Sequence, residues 1–397
     1  MFEIENKLIL ELAQLSSRFS HNSSNLQFSR DSNFNWKHFA ERCSDTMLSS
    51  LIYTKIKGRS DVLNFIPDQV VTHFLQTQAQ VIVKNTFLKS GFDKIITDLN
   101  NLKVDIIPLK GIYLIDSYYD NIAHRQLSDI DLLVRENQLE TVCLYFLKNG
   151  FEMEMYMPTK AAKVSKTPAP YKFSKNGLVI DLHVGLTYIY DNCQFEMDEV
   201  WSGAKKYKRE YFEMNPLDHI VYLFAHLIKH FDYRNCKLIN FYDLCLVFEK
   251  DNIVFSELLG HSELLGCESD VKDICYLLKK YFGVDFFADL LLNYKPRRKN
   301  IDEIFLEILS IDRAKLEVKY APQGSTGFLP MKHLSFKNKF IYILSRIFPD
   351  GQYIQCKYGR QRRSILVGYI SHFNSILSQI FRAMKFKAKD SATPPNK

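Results

Sequence analysis

The chain has 397 residues, 46% apolar and 24% charged, the balance of a folded protein large enough for two or three domains and not of a disordered one. Its net charge of +7 is uneven, because residues 331–397 hold 13 Lys or Arg against Asp350 and Asp390, a local +11 that leaves −4 for the rest. No run of apolar residues is long enough to span a membrane, and the acidic opening MFEIENKLILELAQL is unlike a signal peptide. The eight cysteines (Cys43, Cys143, Cys193, Cys236, Cys245, Cys267, Cys275 and Cys356) show no CxxC spacing. They read as buried thiols of a reducing compartment, hence a cytoplasmic protein.

Residues 1–95 read as helical. Apolar residues recur at helical spacing in Ile9, Leu12 and Leu15, and again in Phe39, Met47, Leu48, Leu51 and Ile52. Asp31, Ser32 and Asn33 suggest a loop, and Pro67 stands where a helix can begin. Residues 96–210 read as α/β. The apolar run 104–109 fits a buried strand, Lys110-Gly111 breaks it, and a short helical pattern follows to Tyr119. A second strand carries Asp129-Ile130-Asp131 into Leu132-Leu133-Val134. Residues 136–148 have helical period and end at Asn149-Gly150, residues 151–157 alternate as a strand does, and 160–170 reads as a basic, proline-bearing loop. Asn176-Gly177 between two β-prone runs is a strong hairpin signal. On the returning strand Val179, Asp181 and His183 share a face while Ile180 and Leu182 take the other.

From Pro216 the pattern is helical again, interrupted at the basic stretch 295–299 and at the loop-like 321–330. Residues 364–386 form a last helical stretch before a tail, 391–397, expected to be disordered. Its Phe373, Ile376, Leu377, Ile380, Phe381 and Met384, with Arg382, Lys385 and Lys387, suit an amphipathic helix lying on an anionic lipid surface, or one docked on a core.

Side chains two apart on a strand point the same way, so Asp129 and Asp131 project together, roughly 7 Å apart along the chain. Paired carboxylates repel unless a cation sits between them, and hard oxygens call for Mg²⁺ or Mn²⁺. That points to phosphate chemistry. A carboxylate inside VIDLHV is costly without a partner, which makes Asp181 the candidate third member. Lys110, between a strand and a helix, is placed to meet an anion. Arg125 can clamp phosphate or pair with Asp129 or Asp131. His219, His226 and His230, spaced by seven and four, share a helix face. With Asp243 they allow a separate phosphohydrolase-like metal cluster, or ordinary packing along the wall of a cleft.

Together Leu109-Lys110-Gly111, Arg125, Ser128-Asp129-Ile130-Asp131-Leu132-Leu133-Val134, Asp181-Leu182-His183, His226, His230 and Asp243 resemble the nucleotidyltransferase superfamily of DNA polymerase β type. The likeness is to its bacterial, mostly uncharacterised group with a Lys-Gly turn, and it covers about residues 30–250. It implies an α+β fold with a small mixed sheet flanked by helical regions. The implied organisation is a helical region 1–95, a nucleotidyltransferase-like core 96–210, a helical domain 211–330 and a basic helical tail 331–397. It also implies Asp129, Asp131 and Asp181 as catalytic metal ligands, with Lys110, Gly111, Arg125 and Ser128 on nucleotide phosphate. His183, His226, His230 and Asp243 stand behind them. The substrate would be a nucleoside triphosphate, and the acceptor a hydroxyl of a small molecule, sugar, protein or RNA.

The superfamily's usual Gly-Ser turn, which holds the triphosphate through N–H groups and a hydroxyl, is here Lys110-Gly111. That departure keeps a second expectation open, a non-catalytic nucleotide-binding or scaffold protein with the same fold. The basic C-terminal segment adds the expectation of peripheral contact with an anionic lipid surface.

Overall fold

A computed structural model of the chain describes residues 4–13, 34–155, 157–169, 171–187, 192–207, 210–232, 234–284, 294–310, 334–358 and 365–390, the last twelve by their backbone alone. The segments 31–33, 321–330 and 391–397, read above as loops and tail, lie outside the described residues.

Five helices come first, α1 (Ile4–Leu12), α2 (Trp36–Asp45), α3 (Ser49–Ile56), α4 (Ser60–Leu63) and the 34-residue α5 (Asp68–Asn101). The α/β stretch follows with β1 (Ile106–Leu109), α6 (Lys110–Ser117), β2 (Ile130–Val134), α7 (Leu139–Lys148), β3 (Glu152–Met155), α8 (Thr159–Val164), β4 (Tyr171–Lys175) and β5 (Leu178–His183). Then come α9 (Met197–Gly203), β6 (Lys205–Tyr207), β7 (Tyr211–Glu213), α10 (Pro216–Asp232), α11 (Leu238–Asp251), α12 (Phe255–Leu264), α13 (Glu268–Phe282) and α14 (Ile301–Ser310). The C-terminal helices are α15 (Phe336–Ile347), α16 (Gly351–Tyr358) and α17 (Ile365–Asp390). The α+β layout is as expected, with five strands in the order β1-β2-β5-β4-β3 and a separate β6-β7 ribbon.

The chain packs as two compact units, each built from two stretches, residues 1–132 with 192–321 and residues 133–191 with 322–397. The four consecutive segments of the sequence reading describe order along the chain, not this packing.

In the first unit α5 starts after Pro67 with Asp68 in its first turn, where a carboxylate suits the helix dipole. One stripe of it is buried, Phe74, Val81, Leu88, Phe92, Ile95 and Leu99, and Asn85 interrupts that stripe. β1 is buried at every position, as an apolar run without alternation predicts.

In the second unit β4 and β5 pair antiparallel around Asn176-Gly177, with Lys175 opposite Leu178. Both turn residues have positive φ, +49° and +85°, the requirement of a two-residue hairpin loop. Gly150, with φ +76°, follows the end of α7 as read. The stretch 160–170 is not all loop. Its first part belongs to α8, where Ala161 is fully buried against Leu334 and Tyr342.

Candidate functional site

The strand–turn–helix at Lys110 sets the geometry of the site. β1 ends at Leu109 in extended conformation, and Lys110 turns the chain with φ +50°, a left-handed value that a long side chain seldom adopts. The turn sends the Lys110 side chain to Asp131, where Nζ donates to Oδ1 at 2.7 Å. Asp131 is 5% exposed, so this is a buried ion pair and not a surface one. Burial alone lowers the Lys110 pKa. The Asp131 charge, helped by Tyr222 on α10 and by Asp129, outweighs it and holds the ammonium well above the usual lysine range. Lys110 is thus a permanent positive charge on the carboxylate that the sequence assigned to a metal.

Gly111 is required for a different reason. A Cβ there would lie 2.5 Å from Arg125 Nη1 and 2.8 Å from Leu127 Cδ2. The guanidinium has little freedom to give way. Its Nε donates to Asp243 Oδ1 and Oδ2 at 2.9 and 3.1 Å, and its Nη2 donates to Oδ2 at 2.8 Å. Tyr119 adds its hydroxyl to Asp243 Oδ1 at 2.6 Å. Burial opposes the Arg125 charge, and Asp243 more than restores it. The ion pair of Arg125 is therefore with Asp243, 118 residues away on α11, and not with Asp129 or Asp131 as one reading had it. Asp243 is 3% exposed and engaged by Arg125 and Tyr119.

Asn85, which sequence reasoning missed, fixes the loop between α6 and β2. Its Nδ2 donates to the carbonyls of Ile122 and Arg125, both at 2.6 Å, and its Oδ1 accepts from Leu127 N at 3.0 Å. Ser50 Oγ donates to the Ala123 carbonyl at 2.5 Å. Backbone groups that a sheet would otherwise satisfy are met here by side chains of α3 and α5. The signal in the sequence was a lone Asn within the apolar stripe of a long helix.

Asp129 lies immediately before β2, half-buried, and its Oδ1 accepts from Ser128 Oγ at 2.7 Å. On α10, His226 and His230 have ring centres 4.5 Å apart, and His230 shares a hydrogen bond with Asn235 Oδ1 at 2.8 Å. Burial, helped by the charges of Lys229, Lys110 and Lys237, depresses the His230 pKa to about 4 against the Asn235 hydrogen bond, which raises it. His219 is buried between Tyr113 and Tyr118, ring centres at 4.8 and 5.6 Å, and burial takes its pKa to about 3. Neither of its ring nitrogens has a hydrogen-bond partner. His226 and His230 thus lie against each other, His219 lies against Tyr113 and Tyr118, and Asp243 is held by Arg125 and Tyr119. Among the described residues no group of three or more His, Cys, Asp or Glu side chains is arranged to hold a metal ion.

Lys110, Gly111, Arg125, Ser128, Asp129, Asp131, His226, His230 and Asp243 all belong to the first unit. Asp181 and His183 belong to the second, on β5, where burial alternates as predicted: Ile180 and Leu182 fully inside, Val179 and Asp181 half-buried. His183 itself is buried.

A helix-flanked mixed sheet with paired aspartates at the start of its second strand is the architecture of a nucleotidyltransferase core. A family model described as an uncharacterised nucleotidyltransferase matches residues 32–283, more than half of the chain, and the protein belongs to that family. Transfer of a nucleoside monophosphate from a nucleoside triphosphate is therefore its general class of reaction. Comparisons with curated proteins and with solved structures find no match.

Proposed function

We propose that the protein is a cytoplasmic enzyme that moves a nucleoside monophosphate from a nucleoside triphosphate to a hydroxyl, using Mg²⁺ or Mn²⁺ held by Asp129 and Asp131. The observation that supports this most strongly is a buried aspartate at the start of β2 facing a left-handed turn from which a helix departs. No side chain caps the start of α6, and unpaired N–H groups at a helix start favour an anion. The donor set fits the ion. Mg²⁺ commonly takes one or two carboxylates and fills its remaining positions with water and substrate phosphate, so it does not need a three-ligand protein cage. Once bound, the cation neutralises the triphosphate and the departing pyrophosphate.

The chain's own groups do the rest. Asp129 and Asp131 would hold the cation, which would supply the charge that Lys110 now gives Asp131, and the Lys110 ammonium would then be available to a phosphate oxygen. Ser128 and the Gly111 backbone border the phosphates, and Arg125, fixed by Asp243, supplies a second positive field. The acceptor hydroxyl gives up its proton to solvent as its oxygen bonds the α-phosphorus and the bond to the bridging oxygen breaks. His226 and His230 stand behind these groups. The acceptor class is a small molecule, a sugar, a protein side chain or an RNA end, and eight free thiols fit a reducing cytoplasm.

One observation favours a second reading. Lys110 already gives Asp131 a cation, which is how a nucleotide-binding scaffold would keep its fold without a metal. Incubation with each α-labelled triphosphate, Mg²⁺ and fractionated cell extract separates the two. Transfer of label should fall at least about a hundredfold in Asp129→Asn and in Asp131→Asn. Nucleotide binding without transfer in the wild type would select the scaffold, and unchanged transfer in Asp131→Asn would remove the site altogether.

A further inference from the structure

The second unit carries a helix whose polarity is turned inside out. On α15 the inward side holds Tyr342 and Ser345, 2% and 6% exposed, with Tyr342 packed against Ala161 and Leu334. The outward side holds Phe336 and Phe340, 89% and 61% exposed, with Ile343 and Leu344 beside them. Phe336, Phe340, Ile343 and the half-buried Ile347 are spaced by four, three and four, which makes one continuous stripe. A helix of a globular protein normally buries such a stripe. Helical geometry puts Lys337 on one border and Lys339 and Arg346 on the other.

Helix α17 repeats the pattern. Its inner side is fixed by His372 Nε2 against the Arg346 carbonyl at 2.9 Å, by Tyr369 donating to the Pro349 carbonyl at 2.8 Å, and by Gly368 against Ile354. Its outer side presents Leu366, Ile370, Phe373 and Leu377, again spaced by four, three and four and all exposed. Farther along the same helix the sequence adds Arg382, Lys385, Lys387 and Lys389.

We propose that these two outward stripes are a docking surface for an anionic phospholipid bilayer, in whose interface α15 and α17 lie without crossing it. Among the described residues no helix is long and apolar enough to cross a membrane, which leaves the interfacial position. Phe, Ile and Leu on one face bordered by Lys and Arg is the composition of an interfacial helix. A protein–protein patch of this apolarity would be depleted in Lys, whereas here residues 331–397 carry 13 Lys or Arg and only two acidic residues. Lys stems can lie along the acyl boundary while their ammonium groups reach lipid phosphates. A nucleic-acid track would use the basic residues and leave the aliphatic stripe in water.

Flotation of the full chain with phosphatidylglycerol–phosphatidylcholine vesicles and with phosphatidylcholine alone, at low and high salt, tests this. Binding to the anionic vesicles should exceed binding to neutral ones and weaken with salt. The exposed-face triple Phe336→Ser/Phe340→Ser/Ile343→Ser should weaken it at least about tenfold with unchanged circular dichroism, and Leu366→Ser/Ile370→Ser/Phe373→Ser should act likewise. Lys337→Gln/Lys339→Gln should cost about fivefold per charge and flatten the salt dependence. Absence of flotation would overturn the proposal. So would binding untouched by both apolar triples, binding to RNA in place of vesicles, or a dimer in light scattering that the triples dissolve.

Discussion

At the scale of single residues the site turns on Lys110. Sequence pattern placed it correctly, after a buried strand and ahead of a helix, and drew attention to Asp129 and Asp131 through their spacing. It did not reveal that the ammonium and the Asp131 carboxylate meet, because 21 residues separate them and only the left-handed turn aims one at the other. The partner of Arg125 was illegible for the same reason, with Asp243 lying 118 residues downstream. Gly111, by contrast, is explained by what surrounds it, since any side chain there would strike the immobilised guanidinium. Lys110→Met removes one charged hydrogen bond from a buried carboxylate and should lower stability by about 2 kcal/mol in metal-free buffer. Millimolar Mg²⁺ should recover more of the melting temperature in this variant than in the wild type. Equal Mg²⁺ responses would show that lysine and divalent cation do not share a position.

At the scale of elements, helix starts, the Asn176-Gly177 hairpin and the strand alternation around Asp181 were readable from the sequence, because each depends on neighbours within a few residues. The basic break at 295–299 was readable only as a break. Its Arg297 and Arg298 close on α13, where fully buried Asp273 accepts from Tyr294 Oη at 2.8 Å and from the backbone N–H groups of Arg297 and Arg298 at 2.9 and 3.1 Å. Arg298 Nη1 also donates to Asp270 Oδ1 at 2.6 Å. The charges are therefore internal ties between α13 and the segment leading to α14. Asp273→Ala leaves two N–H groups without an acceptor and should cost about 3 kcal/mol in urea unfolding. A loss below about 0.5 kcal/mol would mean water replaces the carboxylate. The reversed polarity of α15 was equally hidden, since periodicity identifies an apolar stripe but not which side of the helix meets the core.

At the scale of the whole molecule, α+β class and family membership were legible, while the assembly of each unit from two separated stretches was not, because it rests on contacts of long sequence separation. The buried histidines make a global prediction. His219 and His230 stay neutral in the folded chain down to about pH 3 and 4, whereas unfolded histidines take up protons near pH 6.5. Their folded values are depressed, so stability is full above the unfolded value and is lost as pH falls toward the folded ones. The unfolding free energy should drop by about 2 kcal/mol per pH unit between pH 6 and 5, allowing for the partial exposure of His230. His219→Phe, which preserves the ring contacts with Tyr113 and Tyr118, should remove roughly half of that slope. Denaturant midpoints that do not move between pH 7 and 5 would show that these imidazoles are not sequestered.

In the proposed reaction Asp129 and Asp131 would hold a divalent cation together with a nucleoside triphosphate, in the place Lys110 now takes on Asp131. Calorimetric titration of Mn²⁺ into the protein with a non-hydrolysable triphosphate tests it most directly. Binding should depend on the nucleotide and weaken at least about tenfold in Asp131→Asn. Binding of equal strength in that variant, or Mn²⁺ binding indifferent to nucleotide, would contradict it.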